Sequence, residues 1–258
     1  MKRPKSAAEA VEGFEAWLGS EIGSGLLEAE QKVLDELLPT KFGYYGLQIS
    51  YDRRVNLVYE SPVRTKFVLS PIESEVNSKD SLVADASELP FEEGCFDLLV
   101  LHHVLEFSPR PHQVLREAAR VLRPSGYLVV LGFNPYSLWR MSNKLSFSRR
   151  RLPPLRQTIA TSRMTDWFEL LDLTEVSRES VGFQVPLLSR FASQNVKSRL
   201  ATRVAKYVPS LGAAYISVAR KDPMGMTKIK RSRFRRPFVV LPPVRVPETA
   251  REQAFEAD

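Results

Sequence analysis

The chain has 258 residues, 43% of them hydrophobic, and carries 37 Lys and Arg against 30 Asp and Glu for a net charge of +7. That content can bury one full α/β core with terminal segments to spare. The single cysteine, Cys95, excludes an internal disulfide, and no run approaches the roughly 18 apolar residues of a membrane helix. Lys2, Arg3 and Lys5 open the chain, but Glu9, Glu12 and Glu15 interrupt the apolar region of a signal peptide, so a cytoplasmic protein in a reducing compartment is expected.

The first forty residues predict two helices. Ser6 with Glu9 forms a capping box, and Val11, Phe14, Trp17 and Leu18 mark one apolar face. Leu26, Leu27, Val33, Leu34, Leu37 and Leu38 mark a second helix that stops before Pro39. Residues 44–50 and 65–69 read as strands. Between Gly46 and Gly94 the chain has no glycine.

From Ser81 to Pro135 the pattern is strand, loop, strand, helix, strand. Phe96 to Leu101 is apolar apart from Asp97, and Tyr127 to Phe133 is a second apolar run, as strands buried on both faces require. Between them Val114, Leu115, Ala118, Val121 and Leu122 form one helical stripe, ended by Arg123-Pro124-Ser125-Gly126. This is a βαβ unit of a parallel sheet.

Beyond Ser137 the segment Ser142 to Leu155 carries Lys144, Arg149, Arg150 and Arg151 with Pro153-Pro154 and reads as an exposed basic loop, with a lid for an anionic substrate as the functional alternative. A helix is expected over Thr165 to Leu171, capped by Thr165 or Ser162, then strands over Thr174 to Phe183 and Ala213 to Ala219 that pair near the sheet edge. Pro186 to Val208 reads as an amphipathic cover between them. Residues 221–258 hold nine basic and five acidic residues, a net of +4. Lys228 to Arg236 has six cations in nine residues. Such a tail does not order itself alone, and it is either a solvated tail or a salt-sensitive contact to nucleic acid or an anionic surface.

Asp85-Ala86-Ser87-Glu88-Leu89-Pro90-Phe91, then Phe96-Asp97 opening a strand, then Leu115 through Leu128 (LREAARVLRPSGYL) resemble the central half of class I S-adenosylmethionine-dependent methyltransferases, of the methyltransferase type 11 kind. Gly132-Phe133-Asn134-Pro135 with Asp166-Trp167 resembles a bacterial branch of the YafS type. The resemblance implies a Rossmann-like α/β fold with a seven-stranded, mostly parallel sheet flanked by helices. It covers residues 41–220, with a helical segment 1–40 before and a basic, proline-rich tail 221–258 after.

The same resemblance implies S-adenosylmethionine as cofactor and assigns residues to it. Asp85 would accept from the adenine amino group and the amide of Ala86 would face the ring; the alternative is that Asp85 only caps its own turn. After the first strand the family has a glycine-rich loop, whereas Ser50 here runs into Tyr51-Asp52-Arg53-Arg54, so that loop must take another path. Where the family places a ribose-binding acid after the second strand, this chain has Ser70, with Glu73 three residues on.

His102 and His103 end the fourth strand. Alternation puts their rings on opposite faces, which argues against a shared metal, and no metal spacing is recognisable elsewhere. One of the two is expected to face the cofactor crevice: His102 lines it, and His103 is the candidate proton acceptor. The alternative is hydrogen-bonded histidine at a strand end. Asn134 is the other catalytic candidate, at a strand-to-helix turn on the rim.

Two functions follow. One is methyl transfer to an acceptor the sequence does not name. The other is a non-catalytic module with a degenerate cofactor loop that acts through its pocket or its tail, with RNA as the ligand of the tail.

Overall fold

Two helices lead the chain, α1 (Ala7–Leu18) and α2 (Glu21–Leu37). Ser20 separates them and caps α2, its hydroxyl accepting from the Gly23 amide at 3.2 Å. Pro39 cannot donate to continue α2, and the chain tightens into a 3-10 turn at Leu38–Thr40. The computed structural model describes residues 7–52, 55–71, 81–137, 139, 155–183 and 211–223. Expectations for Ser6, Arg53, Arg54, Glu73, the basic stretch 142–154, the cover 186–208 and the tail 228–236 lie outside those residues. By its internal contacts the chain divides into Met1–Met224 and Gly225–Asp258.

The strands are β1 (Tyr45–Ser50), β2 (Thr65–Ser70), β3 (Ser81–Val83), β4 (Phe96–His102), β5 (Leu122–Phe133), β6 (Leu173–Val181) and β7 (Ala214–Lys221). They form one sheet in the order β3-β2-β1-β4-β5-β7-β6. The first five pair in parallel, and β7 runs antiparallel between β5 and β6. Every residue of β4 is buried, which is why that strand reads as an apolar run rather than an alternating one. Strands β6 and β7 pair at the sheet edge as expected, within two residues of the expected bounds.

Further helices among the described residues are α3 (Val104–Phe107), α4 (Pro111–Val121) and α5 (Thr161–Leu170). The stripe of α4 buries Val114, Leu115, Ala118 and Val121. No separate loop follows α4. Leu122 already pairs with Phe96, and Ser125 takes a φ of 68° inside β5. Asp97 anchors this corner: its Oδ1 accepts from Arg123 at 2.6 Å, and its Oδ2 from the amides of Tyr44 and Tyr45 at 2.7 and 3.0 Å. Helix α5 starts at Thr161, four residues before the expected Thr165, with Ala160 as an N-cap that makes no side-chain bond. The Thr165 hydroxyl bonds instead to Thr161 O and Glu175 Oε2, so it serves the helix–β6 contact rather than a cap.

Phe14 of α1 packs on Phe107 (ring centroids 4.9 Å apart) and Phe133 (6.2 Å), and Trp17 packs on Phe133 (5.8 Å). The leading helices therefore cover the carboxyl ends of β4 and β5. Among the described residues no helix is long and apolar enough to cross a membrane.

Candidate functional site

Strand order reverses at β1, whose neighbours are β2 on one side and β4 on the other. In open α/β sheets ligands bind outside the carboxyl ends of the strands at such a switch point. Here that edge is made by Ser50, Ser70, Asp85, His102 and the segments after them.

Ser50 and His102 are register partners across β1 and β4. The Ser50 hydroxyl lies 3.0 Å from His102 Nδ1 and donates to Asp52 O at 3.1 Å. Both side chains are fully buried, so they hold each other rather than line an open crevice.

After Ser50 the chain turns without glycine and, among the described residues of this loop, without positive φ. Gln48 makes this possible. Its Nε2 donates to Val55 O at 2.5 Å, and its Oε1 accepts from the Leu57 amide at 2.8 Å, so one buried side chain satisfies both ends of the turn. Tyr51 occupies the start of the loop, its ring edge-on to Phe107 at 5.3 Å. Burial, and then the Asp85 carboxylate, push the Tyr51 hydroxyl up to about 12 despite the opposing Arg156.

Asp85 is exposed, and its Oδ1 accepts from the Ser87 amide at 2.8 Å and the Ser87 hydroxyl at 2.9 Å. The turn-capping role is therefore real. It also orders the carboxylate, which keeps further lone pairs for a ligand. Ala86 beside it is buried. Ser70 is buried at the end of β2, and its carbonyl accepts from the Ala84 amide at 3.4 Å.

Strand alternation fails at the two histidines. β4 ends at His102, and His103 adopts the left-handed region (φ 53°, ψ 20°), which swings its ring back beside the first. The ring centroids are 4.7 Å apart, and both rings are fully buried. Each Nε2 faces the carboxylate of Glu30 on α2: His103 at 3.0 Å from Oε1, His102 at 3.4 Å from Oε2. Phe133 stacks on His103 at 4.1 Å. Burial disfavours the charged His103, but Glu30 and Glu106 outweigh it and raise its pKa, whereas burial leaves His102 lowered. Neither ring faces an open crevice, contrary to expectation.

Asn134 is likewise engaged, donating to Gly212 O at 3.0 Å and accepting from the Tyr136 amide at 3.0 Å. It fixes the β5 exit against the start of β7. Sequence reasoning missed Glu30, yet a signal was present: Leu26, Glu30 and Leu34 share one helix face, and all three are buried.

Residues 63–130 match the family described as methyltransferase domain. Over 234 residues, 90% of this chain and 91% of the relative, the chain is 26% identical to YafS of Escherichia coli K12, itself described only as an uncharacterized protein. It is 28% identical over 149 residues to the ubiquinone/menaquinone biosynthesis C-methyltransferase UbiE of Roseobacter denitrificans, covering 57% of this chain and 58% of that one. Residues 63–130 thus carry the methyltransferase-domain match, and the relatives found include methyltransferases. Among solved structures, a chain of the complex between the Haloferax volcanii Trm112 methyltransferase activator and a methyltransferase aligns with a TM-score of 0.57. That alignment covers 84% of this chain and 100% of that chain at 17% identity, a likeness of fold alone. The match to the family model contains Asp85, Ala86, His102 and His103, but not Ser50 or Glu30.

Proposed function

We propose that this protein transfers a methyl group from S-adenosylmethionine to an acceptor held at the carboxyl ends of β1 to β4. The observation that carries the proposal is Asp85, an exposed carboxylate at the end of β3, ordered by Ser87. The residues that would hold the adenine end of the cofactor are Asp85, which would accept from the exocyclic amine, and Ala86, whose amide would face the ring, with Ser70 as the candidate for the ribose. Bound there, the cofactor supplies an activated methyl group for in-line displacement at carbon.

The chain's own contribution is orientation. Methyl transfer needs chiefly alignment of the reacting atoms, and His103 and Asn134 are both committed to internal partners. Those contacts commit His103 and Asn134 to the fold, so neither candidate stands as the base.

A second reading, a non-catalytic relative, is favoured by the glycine-free loop with Tyr51 at its start. The two separate in one assay: release of S-adenosylhomocysteine after incubating the protein with S-adenosylmethionine and fractionated small-molecule, RNA and protein acceptors. Product above the acceptor-free blank in one fraction supports the enzyme. No product in any fraction at saturating cofactor supports the binding module.

A further inference from the structure

Glu30, His102 and His103 bring one donor atom each within 4.8 Å of the others, and all three side chains are fully buried. The hydrogen bonds around them leave a gap that protons do not fill well. A carbonyl only accepts, so where the Ser50 hydroxyl gives its one proton to Asp52 O, it receives one from His102 Nδ1. Neutral His102 then presents a bare Nε2 lone pair to Glu30 Oε2 at 3.4 Å, and neither atom has a hydrogen-bond partner. Two electron-rich atoms facing each other in a dry interior call for a cation between them.

Charge points the same way. Glu106 is also fully buried, with Oε1 accepting from the Phe133 amide at 2.7 Å and Oε2 without a partner. The two buried carboxylates together carry a charge of −2, which one divalent ion cancels. Protonating both rings would cancel it only by placing two imidazolium ions 4.7 Å apart.

The geometry suits a metal. Ligand bonds of ~2.0–2.2 Å at tetrahedral angles put donor atoms roughly 3.3–3.5 Å apart and two imidazole centroids roughly 5 Å apart. The observed separations are 3.0 Å from Glu30 Oε1 to His103 Nε2, 3.4 Å from Glu30 Oε2 to His102 Nε2 and 4.7 Å between rings, with one donor atom of each residue within 4.8 Å of the others. Ser50 on His102 Nδ1 supplies the outer hydrogen bond that metal-bound histidines usually make.

We propose that Glu30, His102 and His103 form a binding site for a divalent transition-metal ion, zinc by donor set, which ties α2 to the end of β4. Two imidazoles and a carboxylate are ligands that zinc accepts. The role is structural, since all three ligands are fully buried: the ion fixes the helices that roof the switch point.

The test uses full-length protein stripped with chelator, then titrated with Zn²⁺ by calorimetry and with Co²⁺ by visible absorption. One ion per chain is expected, with the intense visible bands of tetrahedral cobalt and a raised thermal midpoint. Glu30→Gln and His102→Gln should each weaken binding about tenfold or more and abolish the bands, while His112→Ala leaves both unchanged. Wild-type protein that binds neither ion saturably, or that binds Co²⁺ without tetrahedral bands, overturns the proposal. So does binding that survives both ligand substitutions. Should a variant lose its far-UV circular dichroism, the wild-type stoichiometry and spectrum decide.

Discussion

Glu30 Oε1 lies 3.0 Å from His103 Nε2, joining a helix near the amino terminus to the end of the central strand across 73 residues of sequence. Both groups are fully buried, so the contact is a commitment: removing either partner strands the other in an apolar interior. Replacing Glu30 by Ala should lower unfolding free energy by about 3 kcal/mol, read from the midpoint of urea denaturation. A change within experimental error would mean that α2 does not hold its place through this residue.

Gln48 carries the loop that replaces the family's glycines. Gln48→Ala would leave the Leu57 amide and the Val55 carbonyl buried without partners, at a cost of about 2–3 kcal/mol. Hydrogen exchange at the Leu57 amide should rise by at least as much as global exchange. Unchanged protection there would show that the turn is held by something else.

Asp97 sets the acid limit of stability. Although burial works against its charge, Arg123 and the amides of Tyr44 and Tyr45 hold its carboxyl below the usual value. A folded pKa below the unfolded one contributes stability that is present above the unfolded value of about 3.9 and is lost as pH falls through the folded value. Asp97→Asn should therefore destabilise the protein by about 2–3 kcal/mol at neutral pH. The gap between wild type and variant should narrow below about pH 4. A gap that stays constant from pH 7 to pH 3 would rule out the charge as the cause.

Gly132 has no room for a side chain. A Cβ there would sit 2.5 Å from Tyr215 Oη and 2.9 Å from Glu106 Oε1, and the tyrosine is fully buried. Gly132→Ala should cost about 1–3 kcal/mol by overpacking, measured by thermal or urea unfolding, and a neutral result would mean that the Tyr215 ring has somewhere to go.

Much of the fold was legible in the sequence because its strongest signals are local. Phe96 to Leu101 and Tyr127 to Phe133 are apolar because their strands are covered on both faces, and the α4 stripe between them shows a helical period. The site was less legible because its geometry is set by exceptions. His103 leaves the strand period through a left-handed backbone that histidine tolerates, and no pattern announces it. Glu30 sits on the apolar face of α2, where an amphipathic reading assigns only the leucines. Asp85 was placed correctly at a strand end, but the choice between capping and binding depended on the Ser87 contacts, which show that the cap exists without excluding a ligand.

The most direct test of the central claim is calorimetric titration of wild type and Asp85→Ala, side by side, with S-adenosylmethionine and S-adenosylhomocysteine. Saturable binding of both ligands by wild type, weakened about tenfold or more by the loss of one charged hydrogen bond, is the predicted result. No binding to wild type at millimolar concentration, or equal affinity in the variant, would contradict a cofactor site built on Asp85.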